Sequence, residues 1–565
     1  MQELVDAILS DFYRLYPVQA TEVGYHEHDG RWPDLTDDGR EDRLAFLSRA
    51  AAQLTDLDPT SLSRDDAIDR RILLDELASL RFQEEELDEL SWSPLTYTYI
   101  FGGGLFALLS REFAPLPERL RSAASRLRAL PAALDAARTV LLSPAVNGRR
   151  VSRFHTEKAI DTMPGVADLA RAAASEADTL DDATLRDEVR AAADEACIAV
   201  DAFTAWLRDE LLPAADGEFR LGPELYRSKF RHALKVDLAP EELERRAEAA
   251  YEEVRGEMIR LAGELWPTWI GDEPRPSDPG QLVRRVLDEI AKDHHPAEEL
   301  LDFCRAENER IEAYVRERDL IGLADEPLDI IWTPQFLRAF GGAMLIPPGP
   351  LDKGLKSFFA ITPPPDHWTP DEVESMLRED NTRQLRLLTI HEAVPGHYLQ
   401  LSYSNRCPSL PRAIFASGVF AEGWAVYVTQ VMMEAGYGAD DPALMLVHWK
   451  FFLRAVTNTL MDIRIHHRGT MDEAEAMDLM VNGGFQERSE ASEKWNRARL
   501  SSTQLCEYYL GSVEMSELER EARRRSAAEG REFAWRPFLE SVLAHGTPPT
   551  RVIRDILFGE RVPAA

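Results

Sequence analysis

Apolar residues recur at helical spacing along most of the chain. Ile68, Ile72, Leu73, Leu77 and Leu80 fall on one face of a segment opened by Ser63 and Asp66, a Ser-x-x-acid arrangement suited to capping a helix start. A second stripe, Leu243, Ala247, Ala250, Tyr251, Val254, Met258 and Leu261, follows Pro240 and is expected to stop at Pro267. Helices of this kind must bury their stripes against one another, which predicts a multilayer, mainly α body. Between 326 and 365 the texture changes. DIIWTP at 329–334, the GGAMLIPPGP turn and SFFAITPPP at 357–365 combine aromatic and β-branched runs with Gly and Pro, and predict a short hairpin or small sheet. Such a sheet either offers an edge strand to an extended peptide or is a surface hairpin without a role. Helical periodicity returns at Pro370 and continues almost to the end.

Length and composition narrow the class. With 565 residues, 44% hydrophobic and 29% charged, the chain has ample core and is neither disordered nor a disulfide-held mini-protein. No run of eighteen apolar residues predicts a membrane span. The opening MQELVDAILSDFYRLYP places acids inside its apolar stretch and lacks a basic start, so a secretory signal is not expected and the chain is read as cytoplasmic. Against 65 Lys and Arg stand 99 Asp and Glu, a formal charge of −34, which disfavours nucleic acid and anionic membranes as partners. Cys197, Cys304, Cys407 and Cys506 are scattered without a CxxC, and are read as free thiols.

The strongest local signal is LLTIHEAVPGHYLQ at 387–400, which sets His391, Glu392 and His397 in an apolar helix. Two neutral imidazoles with a carboxylate beside them are what a hydrolytic zinc site needs. The usual HExxH spacing puts both histidines on one face; here they are six apart, about 120° round an unbroken helix. Pro395 and Gly396 fall between them and leave two readings: a bulge that restores His397 to the side of His391, or a Pro-kinked core helix with satisfied histidines. Downstream, IFASGVFAEGWAVYVTQVMM contains one acid, Glu422, which suits a third metal ligand or, alternatively, a cap or an arginine partner. Two histidines and a glutamate leave a fourth position for water, the catalytic form of a zinc site. Further on, His466 follows Asp462 by four residues, so the acid is expected to orient the imidazole, with His467 as its rival on the next face.

HEAVPGH followed by AEGWAVY resembles the bacterial family named domain of unknown function 885, which is similar in its core to the gluzincin metallopeptidases. YPVQATEVGYHEHDGRWPDLT near the N-terminus, and MDIRIHHRGTMDEAEAMDLM and TQLCEYYLG near the C-terminus, extend the resemblance over nearly the whole chain. It implies a large, two-lobed helical body with a deep central cleft and a small sheet near the active site, similar to angiotensin-converting enzyme, neurolysin and carboxypeptidase Taq. It also implies His391, His397 and Glu422 as ligands of one Zn2+ per chain, with Glu392 as general base. Tyr508 falls on the tyrosine of the family's Q-x-x-x-Y-x-x-G pattern, as an oxyanion donor. Arg497 matches a basic position ahead of it, suited to a peptide carboxylate or to an interhelical salt bridge. Where the family commonly has Pro-Gly, this chain has Ser502 and Thr503 before Gln504.

The expectation is therefore a single large catalytic domain over 1–565, with an N-terminal helical half (1–325) and a metal-binding half (326–565). It would act as a zinc-dependent hydrolase of short peptides. The alternatives are a metal-dependent amidase acting on N-acyl amino acids and a catalytically silent binding protein of the same fold.

Overall fold

The stripe from Ile68 to Leu77 is buried along a helix, α1 (Arg64–Phe82), whose first turn is capped as expected: the Ser63 hydroxyl accepts the Asp66 N–H and donates to the Asp66 carboxylate. The computed structural model describes residues 1–334, 337–338 and 342–559, and 71% of the chain is helical, so the mainly α expectation holds. Two compact units form. The first comprises Met1–Phe219 together with Pro348–Lys356. In it α4 (Ala183–Trp206) packs on α2 (Leu116–Leu142) and α3 (Pro164–Ala177). The buried faces carry Ala123 and Ala124, Ala167, Ala170 and Ala173, and Ala192, Ala193 and Ala196, small side chains that let backbones approach closely.

The second unit comprises, of the described residues, those of Arg220–Pro347 and those from Ser357 to Gly559. It contains α5 (Pro240–Trp269), α6 (Pro370–Glu379), α7 (Thr382–Glu392), α8 (His397–Ser404), α9 (Gly418–Glu434), α10 (Pro442–Ile463), α11 (Arg488–Leu500) and α12 (Glu507–Ala528). Helix α5 lays its buried residues Leu243, Ala247, Val254, Met258 and Leu261 along α10. That packing is why the residues from 220 onward belong with the C-terminal helices, although the change of texture in the sequence lies near 326. The expected stop at Pro267 is corrected by two residues. Pro267 has no N–H for the Gly263 carbonyl, but Arg275 donates to that oxygen at 2.7 Å and the helix runs on to Trp269.

A mixed three-stranded sheet forms in the changed segment: β1 (Leu328–Trp332), β2 (Ala343–Ile346) and β3 (Ser357–Ile361), in the order β1-β3-β2. β3 pairs parallel with β1, Leu328 opposite Ser357, and antiparallel with β2, Ala343 opposite Ile361. Of the two expected forms the sheet is therefore the one observed. β3 takes the centre because four of its five residues are buried. The first residue of the expected Gly-Gly turn, Gly341, lies outside the described residues. Ile330, Phe359 and Ile361 close a core with Leu377 of α6, Leu385 of α7 and Ala393, which fixes the sheet against the helix that carries His391. Among the described residues no helix is long and apolar enough to cross a membrane.

Candidate metal centre

Helix α7 starts under a firm cap, with the Asn381 side chain accepting the Arg383 and Gln384 N–H groups, and buries Leu385, Leu387, Ile390, His391 and Glu392. It then stops. Ala393 leaves helical geometry (φ −103°, ψ −105°), the Val394–Pro395 peptide is cis, and α8 begins afresh at His397. The structure thus shows neither a bulge nor a kink but a full break between two helices. Gly396 makes it fit, since a Cβ there would stand 1.9 Å from the His391 carbonyl oxygen. The break is held from α9, whose Trp424 Nε1–H donates to the Pro395 carbonyl at 2.9 Å. As a result the His391 and His397 rings meet edge to face with centroids 4.8 Å apart, despite their six-residue spacing.

Glu422 comes from α9. Its Oε2 lies 3.3 Å from His397 Nε2 and 3.7 Å from His391 Nε2, and one ligand atom from each of the three residues fits within 4.8 Å of the others. Two glycines allow this approach. A Cβ on Gly423 would stand 2.4 Å from the Gly511 backbone of α12, and one on Gly511 would stand 2.0 Å from the Val419 carbonyl, so α9 and α12 cross in direct backbone contact. Neither glycine is singled out by sequence reasoning, although each sits inside a recognised motif, AEGWAVY and EYYLG.

The electrostatics follow from this convergence. Burial works to raise the Glu422 carboxyl, but His391 and His397 outweigh it and hold the group well below the usual carboxylate range. Burial works to lower His397, and Glu422 with Glu392 reverse the sign, so its imidazole is raised. Glu507, at the start of α12, is pushed up to about 8 by burial and then by the charge of Glu422.

The donor set fits zinc. Ligands about 2.0–2.1 Å from a tetrahedral ion stand about 3.3–3.4 Å from one another; Glu422 Oε2 stands 3.3 and 3.7 Å from the two imidazoles, and two imidazole nitrogens with one carboxylate oxygen leave a fourth position open. The buried Oε2 of Glu392 finds no hydrogen-bond donor among the described residues, while the ion-pair partners of Glu422 Oε2 among them are the two imidazoles. Glu392 itself is 6% exposed and belongs to the last turn of α7 beside His391.

Tyr508 stands in the first turn of α12. Its phenol accepts from Arg497 at 3.2 Å and from Gln504 at 3.3 Å, and it is pushed up to about 12 by burial and by Glu422, against the pull of Arg497. Arg497 also donates to Gln504 Oε1 at 3.0 Å and feels the charge of Glu422. Ser502 and Thr503, which stand where the resemblance leads one to expect Pro-Gly, precede a short 3-10 turn that leads into this helix. Thr503 takes φ +70°, the left-handed geometry that a glycine would adopt without strain, and its N–H is held by Asp462 Oδ1 at 2.9 Å.

His466 is placed elsewhere. It is 1% exposed, parallel to the Tyr226 ring, and joined through Nε2 to the Ala498 carbonyl at 2.8 Å. Asp462 Oδ1 accepts from Tyr226 at 2.6 Å as well as from Thr503, while His467 meets Glu241 at 2.9 Å. The structure therefore brings together His391, Glu392, His397, Glu422, Tyr508 and Arg497, and leaves His466 in the packing beneath α11. Gln504, which ties Arg497 to Tyr508, is an addition; its signal was its place at the head of the tyrosine motif.

Residues 17–557 match the family described as bacterial protein of unknown function, DUF885, and the chain belongs to that family. Among solved structures it is similar to a candidate lipoprotein of unknown function from Shewanella oneidensis, at 31% identity and TM-score 0.82, with 98% of each chain covered. It is also similar in fold to a candidate lipoprotein from Colwellia psychrerythraea, at 16% identity and TM-score 0.79, covering 98% of this chain and 97% of that one. No curated protein matches the chain.

Proposed function

We propose that this chain is a zinc-dependent hydrolase of peptide bonds in short peptides. The observation that carries the proposal is the meeting of His391, His397 and Glu422, ligand atoms within 4.8 Å of one another, beside the buried Glu392 carboxylate, whose Oε2 meets no donor among the described residues. His391, His397 and Glu422 would hold the ion, which when bound supplies a Lewis acid and a water of lowered pKa. Glu392 takes the proton of the attacking water and hands it to the leaving amine. Tyr508, its hydroxyl oriented by Arg497 and Gln504, donates its proton in a hydrogen bond to the oxygen that gains negative charge. Arg497 has donors to spare for a substrate carboxylate. β2, an edge strand of the sheet that packs against α7, is suited to align an extended peptide. With this reading goes the expected likeness to angiotensin-converting enzyme, neurolysin and carboxypeptidase Taq; the catalytic role expected of His466 is not carried into it, because that imidazole is held at the Ala498 carbonyl.

A cytoplasmic location is part of the same proposal; four free cysteines suit a reducing compartment, and cell fractionation tests it against the lipoprotein names of the two similar structures. The activity itself is tested by amine release from a panel of di- to pentapeptides and of N-acyl amino acids. The expected result is release from peptides that a chelator abolishes and added zinc restores. Release from the acyl amino acids alone would make the protein an amidase, and release from neither would make it a binding protein.

A further inference from the structure

Helix α11 carries Lys494 and Arg497 one turn apart, so their side chains share a face. Both are buried cations, and neither has a carboxylate within hydrogen-bond reach. Lys494 is 7% exposed, makes no hydrogen bond among the described residues, and approaches Glu490 no closer than 3.7 Å. Glu490 is already taken by Arg454 of α10 at 2.6 Å. Arg497 has only neutral partners, the Gln504 amide oxygen and the Tyr508 hydroxyl. The layer behind them is balanced separately, with Lys450 on Glu379 at 2.9 Å. Buried cations without a hydrogen-bonded carboxylate are costly unless an anion completes them. Burial and the neighbouring Arg454 and Arg497, opposed by Glu490 and Glu493, push the Lys494 ammonium down to about 7.

We propose that Lys494 and Arg497, one helical turn apart with Arg497 against the Tyr508 hydroxyl, form a carboxylate subsite for the substrate. Resting on the hydrolase reading, this gives it a substrate class: peptides with a carboxylate on the residue next to the cleaved bond. Arg497 bridges the two places, since it touches the Tyr508 hydroxyl on one side and shares a face with Lys494 on the other. A carboxylate gripped by both cations holds the peptide in register with the phenol, and a neutral group at that position leaves both uncompensated. The carboxylate is either the free C-terminus or an acidic side chain.

Calorimetric binding to the full-length protein separates these sources and needs no turnover. Acetyl-dialanine is compared with its C-terminal amide, and acetyl-Ala-Glu-amide with acetyl-Ala-Gln-amide. The protein is expected to prefer the acid in one pair by about tenfold to a hundredfold, the range for one charge-assisted hydrogen bond. Lys494→Met should lower that ratio severalfold, Arg497 keeping the remainder, while zinc content and thermal midpoint hold, and Lys494→Arg should keep most of it. Lys494→Gln repeats the test should the Met variant lose its fold. An absence of preference in both pairs, or an undiminished preference in Lys494→Met, overturns the subsite. Acid-selective binding without hydrolysis would keep the subsite and remove the hydrolase reading, so the two failures are distinct.

Discussion

Glu392→Gln is expected to retain one zinc per chain and an unchanged thermal midpoint while losing about 10²–10⁴ in kcat, the contribution typical of a positioned general base. The size of the effect follows from where Glu392 stands. Its carboxylate is buried beside His391, its Oε2 meets no donor among the described residues, and it contributes no atom to the convergent set of His391, His397 and Glu422. The amide of glutamine fills the same space and still orients a water, but it cannot take the proton. Elemental analysis and steady-state kinetics on the same preparation check both halves. Loss of the metal would make Glu392 a ligand and place the base elsewhere.

Tyr508→Phe should cost about 10²–10³ in kcat with KM nearly unchanged, as for the loss of one oxyanion donor whose bond strengthens only in the transition state. The substitution keeps the ring and deletes only the hydroxyl that Arg497 and Gln504 hold. Tyr509 is the internal control. It is 5% exposed and gives its hydroxyl to the Arg246 carbonyl of α5, so Tyr509→Phe should leave kcat within a few-fold of wild type and act only on stability. A crippled Tyr509→Phe beside an active Tyr508→Phe would reverse the assignment.

Much of this site is legible in the order of the residues, because the chemistry demands it. A lone acid in an apolar helix, Glu422, and two histidines in an apolar run have few uses other than a shared cation. The six-residue spacing demands an interruption, and Pro395 and Gly396 supply one. Its form depends on how closely Gly396 approaches the His391 carbonyl, a contact visible only in three dimensions. The same limit hides the α9–α12 crossing at Gly423 and Gly511, and the central place of β3 in the sheet. Asp462 and His466 show periodicity leading astray. Their partners come from other elements: Asp462 Oδ1 accepts from Tyr226 and Thr503, and His466 Nε2 meets the Ala498 carbonyl, contacts that no spacing discloses. The hold of Arg454 on Glu490 is equally invisible in sequence, where Glu490 looks like the natural partner of Lys494 four residues later but stands 3.7 Å from its ammonium.

The metal itself is the most direct test. Protein purified without added metal, measured by inductively coupled plasma mass spectrometry beside its His391→Ala and His397→Ala variants, is predicted to carry one zinc per chain in the wild type and close to none in either variant, with the fold of all three retained by circular dichroism. Metal content that is absent from the wild type, or equal in all three proteins, would contradict the assignment of His391, His397 and Glu422 as a zinc centre.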